Sequence, residues 1–407
     1  MALILRLLGA QWLAIGFVAA VSLAINVVVA RSLSPAMFGV YSVVLSGGAI
    51  AAILLDGGFV RLLQREHAHP TASLSSFLPV LPRAALTHNL ISATALSLLA
   101  AVLFPQHALA VIAAIWFYAA SVLNQFGLSI LRGEGRMVKD ASWQVGNRTF
   151  SAVCVGLVIL LGARQPWQIF LAQFIGAAAF AFLIMRFIRV RPLWHIPPAI
   201  YASTLPFVWL DLATVIYFRA DMLLLEWFDI SKFDVGKYGV AYRLIEAVIL
   251  FASPVGLMLF RKFRLGSESP RRMLQDMLPA LIGALLIGLA LMAGIMLFSE
   301  KLIDVVYGPA YFGAHDLLTV LGVALVFILP NGILNQAALA LGLERWFAVS
   351  ATIAAIVNLT GNMLVIPLHG TLGAAWMTVV TEGVLGCAVG AGVWYRCRIG
   401  NAERDVS

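Results

Sequence analysis

The feature that most constrains this chain is a series of twelve apolar stretches, each near the roughly 20 residues a helix needs to cross a hydrocarbon core. They fall at 10–31, 39–60, 84–104, 108–130, 143–162, 167–187, 203–226, 238–260, 277–298, 315–341, 345–366 and 371–394. The runs are continuous, whereas barrel strands alternate in segments of about ten residues, so the spans are helices. Composition agrees. The 407 residues are 62% hydrophobic and 11% charged, against about 25% charged in soluble domains. No soluble core of this size hides that much apolar surface. The fold class is therefore an all-α polytopic membrane protein of about twelve helices. Short connections rich in turn formers join them, among them "SLSPAMFG", "LRGEGR" and "IPLHGTLG". The N-terminus carries one early charge, Arg6, before a long apolar run. It reads as an uncleaved first helix rather than a signal peptide.

Orientation follows from the basic residues. With the N-terminus inside, cytoplasmic segments hold nineteen Lys and Arg and outside segments hold five, the bias expected of cytoplasmic loops. Both termini are then cytoplasmic. The net charge of +8 is accounted for by these loops and their anionic lipid partners, and does not imply nucleic acid. The basic loop "RKFRLGSESPRRM" is the clearest lipid-tracking segment. Three arginines remain inside proposed helices: Arg148, Arg219 and Arg243. The three cysteines give no disulfide framework, since Cys154 and Cys387 fall in apolar runs and Cys397 in the basic tail.

A weak internal repeat accompanies this pattern. "MFGVYSVVL" (37–45) enters the second span much as "DVGKYGVAY" (234–242) enters the eighth. "LRGEGRM" and "LGLERWF" precede the fifth and eleventh spans in the same way. Such repeats occur in secondary transporters with the substrate site between halves. The basic, proline-bearing stretch "RFIRVRPLWHIPPA" (186–199) is the natural seam. The expected organisation is a six-helix lobe at 1–190, a cytoplasmic linker at 191–199, a second six-helix lobe at 200–395 and a cytoplasmic tail at 396–407.

"VVVARSLSPAMFGVYSVVLSGGAIAAILLDGGFVRLLQRE" resembles the opening helix pair of polysaccharide-type flippases, which handle lipid-linked oligosaccharides such as O-antigen. These belong to the multidrug/oligosaccharidyl-lipid/polysaccharide exporter superfamily. "RADMLLLEWFDISKFDVGKYGVAYRL" is similar to that family's helix 7–helix 8 junction, and "LIDVVYGPAYFGAHDLLTVLG" and "LVIPLHGTLGAAWMTVVTE" to its later helices. The resemblance spans nearly the whole chain and rests on the order and spacing of its motifs. It implies two six-helix lobes and a lipid-linked oligosaccharide moved between leaflets by alternating access.

The intramembrane charges are the candidate chemistry. Arg219 and Asp221 are two residues apart on a helix, so they point to nearly opposite sides. If the seventh span ends near Glu226, Arg219 lies roughly 10 Å from its outer end at 1.5 Å per residue. Arg243 and Glu246 return to a comparable depth on the eighth span and share a face at i,i+3 spacing. Arg219, Arg243, Asp221 and Glu246 are thus expected to converge as a substrate site. Alternatively, the seventh span reaches the outer interface at Arg219, and "RAD" is a snorkelling rim. Glu382, about twelve residues into the last span, and Asp211, mid-depth in the seventh, are the ion-coupling candidates; Glu382 serves equally well as a partner for an arginine. Asp56 and Arg148 are placed nearer the cytoplasmic face, for snorkelling or a lobe-closing contact.

No phosphate-binding Gly-rich loop ending in Lys occurs, which leaves an internal ATPase unsupported. His67 and His69 in "REHAHP" have no further ligand types near them, so no metal site is expected. No cofactor is expected either. The expected function is a non-enzymatic transporter that flips a polyprenyl-pyrophosphate-linked oligosaccharide across a bacterial inner membrane, for lipopolysaccharide or exopolysaccharide synthesis beside polysaccharide assembly proteins. Arg219 and Arg243 would draw in the diphosphate or acidic sugars, while Asp221, Glu246 or Glu382 would balance those charges or titrate. Two alternatives stand. A cation-driven drug exporter of the same superfamily is favoured by the number of buried acids and disfavoured by a first span without one. A polysaccharide polymerase or ligase would need a longer outside loop than 227–237 or 299–314.

Overall fold

The computed structural model describes residues 2–70, 75–188, 191–193, 196–266 and 270–405. Among these residues no β-strand occurs. The helices are α1 (Ala2–Ser32), α2 (Pro35–Asp56), α3 (Phe59–Ala68), α4 (Leu81–Leu103), α5 (Ala108–Gly133), α6 (Met137–Leu160) and α7 (Pro166–Phe187). They continue as α8 (Pro198–Trp227), α9 (Lys232–Gly266), α10 (Pro270–Tyr307), α11 (Ala314–Ala340) and α12 (Glu344–Asp405). The predicted spans fall on α1, α2, α4 to α11 and the two halves of α12. Gly370 divides α12, with φ 56° and ψ −137°. That backbone is closed to a side chain bearing Cβ without strain, and Pro367 just before it weakens the helix further.

Among the described residues, eight segments are long and apolar enough to cross a membrane, judged by length and composition: they lie in α1, α2, α4, α5, α7, α10, α11 and α12. The protein is a multi-pass membrane protein. Arg148 lies on α6, Arg219 and Asp221 on α8, and Arg243 and Glu246 on α9.

Local signals explain the helix ends. Ser34 accepts the Met37 N–H at 3.3 Å and Pro35 opens α2, the arrangement that satisfies an otherwise orphaned donor. At its other end, the Asp56 carboxylate accepts the N–H groups of Gly58 (3.2 Å) and Val60 (2.9 Å). Gly57 and Gly58 take left-handed φ values of 57° and 78° and turn the chain into α3. That short helix is amphipathic. Phe59, Leu62 and Leu63 are buried, while Arg61, Gln64 and Arg65 are exposed.

The chain forms two compact units, Met1–Arg219 and Ala220–Ser407. In the first, α5 packs on α2, α3, α4 and α7, and α6 lies against α1 and α7. Its core includes Leu55, Phe59, Leu63, Phe126 and Ile184. The segment after α7 is tied to α4, since Thr87 Oγ1 donates to Leu193 O at 3.0 Å and accepts its N–H at 2.7 Å. In the second unit α11 is central, packed by α9, α10 and α12. Leu98, Leu160, Leu161 and Leu364 are exposed on the outside of these units, as suits lipid-facing positions.

Candidate substrate site

In the second unit the polar interior starts where α8 meets α9. Asp221 is buried at 4% exposure. Its carboxylate accepts the Tyr238 hydroxyl and, at 2.8 Å, the Met222 N–H. Tyr238 is wholly buried, so this bond ties α8 to α9 in a place water does not reach. Five residues further along α9, Arg243 donates from Nη1 to the Glu246 carboxylate, at the i,i+3 spacing expected from sequence. Arg243 is 7% exposed, and its Nε and Nη2 are buried without a hydrogen-bond partner.

Tyr307, the last residue of α10, lies within electrostatic reach of both Arg243 and Glu246. Its hydroxyl is also buried without a partner. Tyr311 follows in a 3₁₀ turn, its ring 5.9 Å from that of Tyr307. Burial pushes the Tyr311 phenol well above the usual tyrosine range, so it stays protonated and able to donate. The arrangement therefore offers unmet N–H groups on two guanidinium nitrogens, with an unmet phenol within electrostatic reach, on a cation paired with its acid through its third nitrogen. Such donors suit oxygen-rich anionic groups.

The expected four-residue grouping is distributed among several contacts. Arg243 and Glu246 are a direct pair, Asp221 is held by Tyr238, and Arg219 is half-buried at the end of the first unit. Sequence reasoning missed Tyr238 and Tyr307. Both stand in quoted motifs, "DVGKYGVAY" and "LIDVVYGPAYFG", but an uncharged tyrosine raises no alarm in an apolar run.

The two ion-coupling candidates have different surroundings. Glu382 is 6% exposed, and the Asn331 amide donates at 2.8 Å to both its carboxylate and its backbone carbonyl. Beside it on α12, Thr381 receives the Asn358 amide at 3.3 Å, and Asn362 donates to Asn358 at 3.1 Å. Asp211 lies opposite the start of α3. There it accepts from Arg61 Nη2 at 2.6 Å and Nε at 3.1 Å, in a fork-shaped pair. An apolar groove of about 560 Å³ lies between α9, α10 and α11, lined by residues such as Ile249, Val255, Ala284, Ile287 and Ile333, with Gln336 as a polar member. Among the described residues, no group of three or more His, Cys, Asp or Glu side chains is arranged to hold a metal.

Comparison with known proteins follows the same lines. The family model described as polysaccharide biosynthesis protein matches residues 7–260. A curated relative, the "Probable low-salt glycan biosynthesis flippase Agl15" of Haloferax volcanii, is 22% identical over 274 residues, covering 64% of this chain. The match spans 56% of that relative's length. Among solved structures, the lipid II flippase MurJ in an inward closed conformation aligns with a TM-score of 0.78 at 15% identity, over 93% of this chain and 86% of MurJ. An inward-facing multidrug resistance MATE family transporter of the MOP superfamily aligns with a TM-score of 0.64 at 16% identity, over 98% and 96%. At these identities the structural matches establish the fold: a two-lobe, all-helical transporter architecture.

Proposed function

This chain belongs to the polysaccharide biosynthesis protein family, and from that premise we propose that it is a non-enzymatic flippase for a lipid-linked oligosaccharide. The observation that carries the reading is Arg243. It is buried in a membrane-spanning helix, paired through one nitrogen and left with Nε and Nη2 unsatisfied. A buried donor without a partner is costly, and a phosphate or acidic sugar arriving at those two nitrogens would remove that cost. The Tyr307 hydroxyl, within electrostatic reach of Arg243, adds a further unmet donor. Glu246 keeps the site from carrying a full naked charge when empty. Arg219 would extend the same attraction, and the Asp221–Tyr238 bond would hold the α8–α9 junction while substrate passes.

Transport would proceed by alternating access in a bacterial inner membrane, with both termini cytoplasmic, and the polar head alone would need shielding. The apolar groove between α9 and α10 is suited to a hydrocarbon chain. Anionic lipids would meet the basic cytoplasmic loops, and polysaccharide assembly proteins would supply and receive the substrate. Glu382 and Asp211 are the proposed ion-coupling acids.

The test is translocation of lipid-linked oligosaccharide in vesicles by Arg243→Ala and by Arg243→Ala with Glu246→Gln. The expected result is loss in both, with Arg243→Lys keeping only part of the activity because it lacks the bidentate fork. Full activity in the double variant would reduce Arg243 to a structural partner of Glu246. A drug exporter remains the second reading, favoured by the buried Glu382–Asn331 contact, since a sealed carboxylate beside amides suits cation coupling. Efflux of cationic dyes without glycan translocation would select it.

A further inference from the structure

We propose that Arg148 forms a second anion-binding site, within the first unit, that takes an oxyanion of the lipid-linked saccharide: its diphosphate or the carboxylate of an acidic sugar. The inference rests on the transport reading above and adds a residue and a location that it does not contain.

Depth comes first. The apolar run in this region starts at residue 143, which placed Arg148 near the cytoplasmic face. The helix itself starts at Met137, because Asp140 accepts from Arg132 at 3.0 Å and from Gln144 at 3.0 Å and so carries a polar first turn. Arg148 is consequently central in the 24 residues of α6, roughly 17 Å from either end at 1.5 Å per residue. Its neighbours agree. Tyr41 of α2 and Tyr118 of α5 lie within electrostatic reach of the guanidinium, and both helices enter from the end at which α6 finishes.

Charge comes second. The first unit contains five acids: Asp56, Glu66, Glu134, Asp140 and Asp211. Asp56 caps the turn into α3, Glu66 meets Arg65, Glu134 meets Arg136, Asp140 meets Arg132, and Asp211 meets Arg61. Among the described residues, no carboxylate pairs with Arg148, and its Nε is sealed from solvent without a partner. Arginine does not shed its proton in proteins. A fixed cation inside a membrane without a counter-charge marks a pathway or binding site for an anion.

The surroundings suit a glycan headgroup. The Gln173 amide donates to the Tyr41 hydroxyl at 3.2 Å while its Oε1 is buried without a partner. Tyr118 donates to the Leu45 carbonyl at 2.8 Å. These neutral groups hold the neighbourhood polar without cancelling the charge. One turn beyond Arg148, a Cβ on Gly176 would stand 2.6 Å from Ser151 Cα, so α6 and α7 are in close backbone contact there. The guanidinium is therefore mounted on a rigid pair of helices. Its fork of donors matches an oxyanion bidentately.

The experiment is equilibrium binding to the full-length protein in lipid nanodiscs, with farnesyl diphosphate and glucuronate as anionic probes and farnesol and glucose as neutral controls. Arg148→Gln is expected to weaken an anionic probe at least tenfold and Arg148→Lys by less, with the controls unchanged. A loss confined to farnesyl diphosphate assigns the site to the linkage; a loss confined to glucuronate assigns it to the sugar. Anion binding undiminished in Arg148→Gln but lost in Arg243→Ala would overturn this inference and leave the transport reading standing. Wild-type protein that binds neither probe would overturn both. If no substitution at 148 folds, the arginine is structural and the proposal fails.

Discussion

Arg148 and Arg243 are the same side chain, each carried on a long helix, α6 in the first unit and α9 in the second, yet their surroundings differ. Arg243 has an acid three residues on, and one helical turn supplies its counter-charge. Arg148 has Thr149, Phe150 and Ser151 after it, and none of its unit's five acids pairs with it. The second unit thus compensates its cation locally and leaves two donors over, while the first leaves a whole charge. Local pairing makes a site tolerable when empty. A lone charge makes it attractive when an anion is near.

The largest effects should come from breaking one arrangement and not the other. Arg243→Ala takes the guanidinium away from Glu246, which is 26% exposed, so the loss should be on the order of 2–3 kcal/mol, below the 3–5 kcal/mol typical of a sealed pair. Adding Glu246→Gln should restore most of the melting temperature. Arg148→Gln strands no acid and should leave the melting temperature unchanged or raise it. Thermal unfolding in nanodiscs reads all three, and equal losses at the two arginines would erase the contrast.

Next in size are the backbone contacts. Gly176→Val forces a side chain against the Ser151 backbone and should cost about 1–3 kcal/mol by overpacking, weakening anion binding at Arg148 with it. Gly294→Ala in α10 meets nothing within 4 Å and serves as the neutral control. If both glycines tolerate the change equally, α6 is not held as described. Tyr238→Phe should follow at about 1–3 kcal/mol, since a buried hydrogen bond to Asp221 disappears; an unchanged melting curve would remove the α8–α9 tie.

The smallest effect belongs to the Arg61–Asp211 pair. Arg61 is 49% exposed, and exposed ion pairs contribute about 0–1 kcal/mol. Asp211→Asn should barely move the melting temperature, so a transport defect in that variant would report coupling rather than folding. Glu382→Gln, measured alongside, tests the buried candidate. Transport at the wild-type rate in both would end the ion-coupling role proposed for these acids.

Much of the fold was legible because a membrane imposes length. Apolar runs located the long helices, and "IPLHGTLG" marked the break in α12 that Gly370 makes with its left-handed φ. The amphipathic α3 was not seen, since ten residues with four charged or histidine side chains look like a loop until Phe59, Leu62 and Leu63 find a core. Arg243 with Glu246 was readable as an i,i+3 pair. The start of α6 was less legible, because the helix extends through a polar turn in which Asp140 is held by Arg132, eight residues away. Tyr238 and Tyr307 were silent for the reason that they are uncharged.

By itself, then, the sequence determined that the protein spans a membrane many times, where most helices run and which residues carry charge within them, since hydropathy and helical spacing are local properties. Only the tertiary structure decided which acid answers which base and which tyrosine comes within electrostatic reach of Arg243. Those contacts join side chains such as Arg61 and Asp211, 150 residues apart, and no local pattern encodes a distance that the packing of separate helices creates.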